Sequence, residues 1–422
     1  MRILVFSHYY PPEVNAPAAR TSEHCRLWAR EGHEVTVVTC APNHPNGKIY
    51  PGYRNRIFQS ETIDGVRVIR IWTLLARNHR VTRRSLNYLS YIVSVVLLMP
   101  WLPRADIIIS TSPQFFCGLA GGLARFVKRA PWILEVRDLW PDSIVAVGAM
   151  RKGLMTRALE WLERLAYRQA DSIVAVSRAF VPHIAARTGD PSKVEVIPNG
   201  VDMAVFDPRK PSHDTRTELG LNGRFVAVYA GTFGMAHGIT TILDAADRLR
   251  HDQRFVFLLV GDGAERDQIA AECERRNLDN VVLLGQRPRA DIPGILKAAD
   301  AGLVLLRQRE TFAKVLPSKL FEAMAMRLPV ILGVEGEARA LLERAGAGIA
   351  IKPENAEELA AAVIQLADTP DFAHRLGLQG AAYVRTHHDR KHLAQTYLGL
   401  LERVASPAGV AGEPVQHPSR LS

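Results

Sequence analysis

The chain has 422 residues, 47% of them apolar, a mean hydropathy of −0.02 and a formal net charge of +10. Such a chain can bury a large core, with about two domains expected at ~150 residues each, and a disordered or fibrous protein is excluded. The basic residues are spread without long runs, so the excess alone does not argue for a nucleic-acid partner; an anionic ligand or an anionic membrane surface fits it equally well.

The amino terminus, "MRILVFS", runs straight into a strand and lacks the charged start, apolar middle and small-residue cleavage site of a signal peptide, so export is not expected. The loop "YYPPEVNAPAAR" follows, with Asn15 and Arg20 as polar groups and Ala16 as a small one, then a helix from about Thr21 to Glu31 that Gly32 ends. Next comes the strand "EVTVVT". The segment "YLSYIVSVVLLMPWL", residues 88–102, is almost wholly apolar and is flanked by Arg77, Arg80, Arg83, Arg84 and Arg104. It is too short to span a bilayer, which takes ~20 apolar residues. Its two readings are a buried helix and an interfacial helix with Tyr88, Tyr91 and Trp101 at headgroup level. The strands "DIIISTS", "WILEVRD", "DSIVAVS" and "KVEVIP" complete the first half. In "EVRDLWPDS", Glu135 and Arg137 share a strand face and Asp138 follows at the strand's carboxyl end; a structural ion pair competes with a catalytic role there.

After the Pro- and Asp-rich "PNGVDMAVFDPRKPSHD", which reads as a linker, the rhythm restarts with "RFVAVYAG", "RFVFLLVG", "NVVLLGQ", "AGLVLLR", "LPVILGV" and "GIAIKP". Several are apolar nearly end to end, as strands covered on both faces must be. The pattern predicts an α/β protein of two facing doubly wound, Rossmann-like domains with ligands at the carboxyl ends of the strands. The expected boundaries are 1–200 for the first domain and 201–387 for the second, with a helix at 388–404 packing back on the first and a disordered tail at 405–422. Cys25, Cys40, Cys117 and Cys273 have no metal-ligand spacing and read as small buried residues.

The densest chemistry lies in "ETFAKVLPSKLFEAMA", residues 310–325. It follows a strand, and Pro317 suits a helix start, so Ser318 and Lys319 fall where free N–H groups and the helix dipole favour a diphosphate. Glu322 lies one turn on, where a carboxylate can accept two ribose hydroxyls.

Together with "VIPNGVD" at 196–202, "GDGAER" at 261–266, "KLFEAMAMRLPVI" at 319–331 and the weaker "GTFGMAHG", "SHYYPPE" and "NVVLLGQRPRADIPGILKAADAGLVLL", this resembles the retaining family 4 glycosyltransferases of the GT-B fold over nearly the whole chain. The resemblance implies a nucleotide diphosphate sugar as donor substrate, no cofactor and no catalytic metal; no D-x-D sequence is present. By it, Glu322 is the second glutamate of the family's E-x7-E motif. The donor would also meet Gly231, Thr232 and Gly234 of "GTFGMAHG" and Gln286 and Arg287 of "LLGQR", and the first-domain loop with Asn15, Ala16 and Arg20 would face the acceptor.

Three charge-bearing family positions differ here: Lys314 stands for the first glutamate of that motif, and Thr232 and His237 stand for a phosphate-binding arginine and lysine. Lys314 and Lys319 are then expected to supply the lost positive charge, with Arg137 and Asp138 as the first-domain candidates for catalysis. The combination resembles transferases that build bacterial cell-surface polysaccharide such as O-antigen or capsule, including the N-acetyl-L-fucosamine type. It implies a lipid-linked (undecaprenyl diphosphate) saccharide acceptor, a cytoplasmic location and attachment to the inner face of the membrane. An epimerase of similar fold, a non-catalytic sugar-nucleotide binder and a membrane-organising protein are the alternatives.

Overall fold

A computed structural model describes residues 1–44, 47–75, 81–112, 115–146, 148, 150, 153–211 and 214–406. Arg77, Arg80, the side chains of Arg83 and Arg84, and the expected tail beyond 406 lie outside the described residues.

The first sheet has eight strands, β1 (Arg2–Phe6), β2 (Glu34–Cys40), β3 (Phe58–Ile63), β4 (Val66–Ile71), β5 (Ile107–Thr111), β6 (Trp132–Val136), β7 (Ser172–Ala175) and β8 (Val194–Val196), in the order β3-β4-β2-β1-β5-β6-β7-β8. All its pairings are parallel except β3 with β4. That edge hairpin was not foreseen, although Asp64 and Gly65, with φ of 51° and 82°, form the Asp-Gly turn that a tight hairpin selects. The second sheet is wholly parallel: β9 (Phe225–Ala230), β10 (Phe255–Val260), β11 (Val281–Gly285), β12 (Ala301–Leu305), β13 (Val330–Gly333) and β14 (Gly348–Ala350), ordered β11-β10-β9-β12-β13-β14. Both sheets are buried on two faces, which is why their strands read as apolar runs. Strand order reverses between β1 and β5 in the first sheet and between β9 and β12 in the second, and such switch points open crevices at the strands' carboxyl ends.

The chain crosses between the sheets twice, and the crossings touch. Val201 N–H donates to the His388 carbonyl and Arg390 N–H to that of Val201, at 3.0 and 2.9 Å. A Cβ on Gly200 would stand 2.3 Å from the His388 oxygen, so "PNG" needs its glycine to let the two crossings meet. The last helix, Arg390–Ala405, then lies against the helix Ala16–Arg30 of the first domain, with Leu393, Tyr397 and Leu401 in the core that holds Ile3, Val5 and Trp28.

The helix Val81–Leu98 is half core and half surface. Tyr91, Val95 and the flanking Met99 are buried, as is Tyr88, while Leu86, Leu89, Val93, Val96 and Leu97 face out and Trp101 is 73% exposed. The tyrosines expected at headgroup level instead pack around His8. No helix among the described residues is long and apolar enough to cross a membrane.

Candidate active site

The helix Ser318–Ala325 begins at the β9/β12 crevice, with Pro317 at its N-cap and Ser318 and Lys319 in its first turn. Lys319 does not point to solvent. Its Nζ is buried, lies 3.7 Å from the centre of the Tyr229 ring, and has no hydrogen-bond partner among the described residues. The ammonium reaches the loop after β9, where a Cβ on Gly231 would come within 2.9 Å of it. Glycine leaves that approach open, where a larger residue would push the ammonium aside. Tyr229 donates its hydroxyl to the Thr232 carbonyl at 2.8 Å, which pins the loop over the ring.

His237, on the same loop, stands edge-on to Tyr229 at 6.4 Å between ring centres, and its buried Nδ1 likewise lacks a hydrogen-bond partner among the described residues. Burial, then the nearby Lys319 charge, keep this imidazole well below its ordinary pKa. Burial pulls Lys319 down to about 7, with the Glu322 carboxylate opposing. Two unpaired nitrogens in one buried crevice are costly unless a ligand satisfies them.

The charge of Lys319 also reaches His237, which the sequence reading had not counted among the donors to the diphosphate. Lys314 ends the turn Phe312–Lys314 and is held through its backbone, its carbonyl accepting from Ser177 Oγ at 2.6 Å across the domain boundary. Sequence reasoning missed His237 because it was read as a lost lysine, although imidazole is itself a donor to phosphate oxygens.

Glu322 keeps one oxygen for a partner on its own domain, accepting from Arg289 Nη1 at 3.1 Å, and its side chain is 14% exposed. The residues after β11 diverge. Gln286 reaches the first-domain Tyr50 hydroxyl, whereas Arg287 lines a cavity of about 650 Å³ with Asp207, Lys210, Asp291, Lys297 and Met326. Arg287 is exposed in the loop after β11, whereas Arg289 turns inward to Glu322 and Glu23. Thr232 is exposed at the loop tip, and Gly234 leaves room beside His237. The "GDGAER" loop supports this arrangement: Phe233 N–H donates to the Asp262 carbonyl, Glu265 N–H to that of Phe233, and Glu265 pairs with Arg307 at 3.1 Å.

On the first domain, Asn15 is a helix N-cap and not a loop residue; its Oδ1 accepts from Ala18 N–H at 2.8 Å, and Pro17 sits in the first turn. The helix therefore starts five residues earlier than expected, and only Ala16 at its start stays exposed. Arg20 is held by the chain: Nη2 donates to Glu135 at 3.1 Å and to the Ile197 carbonyl, and Nη1 donates to the Pro198 carbonyl. Arg137 lies 3.8 Å from Glu135 and donates to the Ala16 and Pro17 carbonyls. Despite burial, Arg20 and Arg137 hold the Glu135 carboxyl below its usual range. Arg20 as an acceptor contact and Arg137 as a catalytic group are corrected accordingly: buried guanidiniums require several acceptors, and the linker and helix carbonyls supply them. Asp138 stays at the carboxyl end of β6, partly exposed.

Comparison with known proteins covers both halves. Residues 15–200 match the glycosyl transferase 4-like domain, and residues 212–382 match the glycosyl transferases group 1 domain. The chain is 26% identical over 378 residues to the putative colanic acid biosynthesis glycosyl transferase WcaI of Escherichia coli, covering 86% of this chain and 92% of WcaI. Sucrose-phosphate synthase of Thermosynechococcus elongatus superposes with a TM-score of 0.76 at 19% identity over 95% of this chain and 98% of that one. Anabaena HepE in complex with UDP-glucose superposes at 0.69 with 18% identity, over 96% and 100%.

Proposed function

Because the chain belongs to the family 4 glycosyltransferases of the GT-B fold, we propose that it moves a hexosyl group from a nucleoside diphosphate sugar to a lipid-linked saccharide in the building of a surface polysaccharide. The observation that carries the reading is a pair of buried nitrogens without a hydrogen-bond partner among the described residues, His237 Nδ1 and Lys319 Nζ, the latter one helical turn from the Glu322 carboxylate at a switch point. Together they match a diphosphate and its ribose. The UDP-glucose held by HepE supports a nucleotide sugar donor, and the colanic acid role printed for WcaI supports polysaccharide synthesis. Both matching family models and WcaI are described as glycosyl transferases, which favours transfer over the epimerase and binder readings.

In the proposed reaction the bond from the anomeric carbon to the diphosphate oxygen breaks, and its electron pair leaves with the diphosphate. The Lys319 ammonium neutralises that charge as it develops, and the uncharged His237 imidazole and the free N–H groups of the helix's first turn donate hydrogen bonds to it. The acceptor hydroxyl oxygen bonds to the anomeric carbon, its proton passes to the departing phosphate oxygen, and the configuration is retained. In this reading Lys314 would add positive charge at the diphosphate, and Ala16 and Asp138 would face the acceptor. The donor sugar is proposed to be a deoxyhexose such as N-acetyl-L-fucosamine.

A thermal-shift panel of UDP, GDP, dTDP and their sugars tests the donor reading. One nucleotide should raise Tm with the logarithm of its concentration, and a panel without effect overturns the reading.

The acceptor's lipid would keep the enzyme at the membrane. On one side of the first domain Leu97 and Trp101 are exposed together with Phe126 and Val127 of the helix Phe115–Lys128 and Leu154, Met155 and Trp161 of Leu154–Gln169. Exposed Arg104, Arg129, Arg157, Arg164 and Arg168 lie along the same helices and the loops they enter. An apolar surface edged by arginines suits an anionic bilayer. The protein should sediment with vesicles containing phosphatidylglycerol, be released by salt, and stay in solution with phosphatidylcholine alone. Trp101→Glu with Phe126→Glu should abolish sedimentation while leaving nucleotide binding unchanged.

A further inference from the structure

The proposed ribose carboxylate is not an isolated group. Arg289, in the turn Arg289–Asp291 after β11, gives Nη1 to Glu322 at 3.1 Å and Nη2 to Glu23 at 2.9 Å. Glu23 belongs to the helix Ala16–Arg30 of the opposite domain, 266 positions away. Its second oxygen accepts from Arg390 Nε at 2.8 Å, and Arg390 in turn donates to the Gly200 carbonyl. A chain of alternating charge thus runs from Glu322 to the place where the two crossings meet. Within it, Glu23–Arg289 is the link that spans the cleft.

The geometry of Arg289 restricts what it can be doing. Its guanidinium lies 5.3 Å from the Phe206 ring centre, with its two terminal nitrogens on different carboxylates. A planar fork can hold two carboxylates in one fixed relation, which a lysine cannot do. The side chain is 32% exposed, so solvent screens the pair and it is a weak source of stability. It is well suited to a smaller task, because it fixes one oxygen of Glu322 and leaves the other to the cleft. Were the domains to part, Glu23 would withdraw, Arg289 would lose half its anchorage, and Glu322 would lose its fixed orientation.

We propose that Arg289 is a positioning residue that couples the ribose carboxylate to domain closure, so that a nucleoside diphosphate binds tightly only while Glu23 of the first domain holds the other end of the guanidinium. The proposal rests on the donor reading given above. By linkage, the nucleotide favours the closed form as much as closure favours the nucleotide.

The test is calorimetric titration of the full chain with whichever of UDP, GDP and dTDP stabilises it most. Glu23→Gln lies outside the proposed ligand contacts, yet it should weaken binding about tenfold. Arg289→Lys keeps the charge without the fork and should do the same. The double variant should be no weaker than the weaker single one, since both break one linkage. Small-angle scattering should find Glu23→Gln more extended than the wild type, and equal melting temperatures would separate this from misfolding. Unchanged affinity in either single variant, or losses that add in the double variant, would overturn the coupling while leaving the donor reading intact. If none of the three nucleotides binds the wild type, both fall together.

Discussion

Lys319→Met should reduce turnover by about a hundred- to a thousandfold, the usual cost of removing one preorganised donor to a developing anion, and should do so without unfolding the chain. The ammonium is buried against Tyr229, next to Gly231 and without a hydrogen-bond partner among the described residues, so methionine fits its stem while removing only the charge. The pH dependence provides a signature that a merely structural lysine would not give. Burial lowers the free site's pKa to about 7, and a bound diphosphate would raise it. At pH 6 the lysine is already charged and binding takes up little proton. At pH 8.5 it is mostly neutral, and binding must take up nearly one. Affinity should therefore fall as pH rises above about 7, by at most about tenfold per unit. Titrations in buffers of different ionisation heat measure the uptake, and Lys319→Met should abolish it.

Stability runs the other way. Because the folded pKa lies below the unfolded one of 10.5, the unfolded chain holds more protons between about 7 and 10.5. Stability attributable to this group therefore grows through that window and is lost as pH falls through 7. Lys319→Met should flatten that slope in thermal melts. A methionine variant that keeps full activity would remove the diphosphate reading.

Glu322→Ala should weaken nucleoside diphosphate binding by about ten- to a hundredfold, the range expected for hydrogen bonds to a charged carboxylate. The damage should extend beyond the ribose. Glu322 opposes the fall in the Lys319 pKa, so its removal should move the onset of the affinity loss to lower pH than in the wild type. Calorimetry from pH 6 to 8.5 measures both effects. An alanine variant with wild-type affinity would show that the carboxylate faces the crevice without touching the ligand. Glu322→Gln, which keeps the shape but not the charge, should share the pH displacement and lose less affinity than alanine.

Local sequence carried a large share of this result. The apolar runs of β9 through β14 were legible because a strand covered on both faces must be apolar along its length. Ser318, Lys319 and Glu322 were legible because a strand, a proline and one helical turn fix where those residues stand relative to free N–H groups. The β3–β4 hairpin could have been found from its Asp-Gly turn.

The destinations of the charged side chains were not legible. Arg20 and Arg137 looked available for chemistry until the fold set Glu135 and the carbonyls of 16–17 and 197–198 around them. Nothing near Arg289 in the chain pointed to Glu23, and nothing in the apolar segment at 88–102 told that its tyrosines turn inward while its leucines and valines turn out. The sequence by itself determined the periodicity of each element, and with it two doubly wound sheets and a phosphate-ready helix start. Only the tertiary structure decided which nitrogen stays unpaired in the crevice, because a side chain's partner depends on which loops meet at the strand ends, and residues hundreds of positions apart supply those loops.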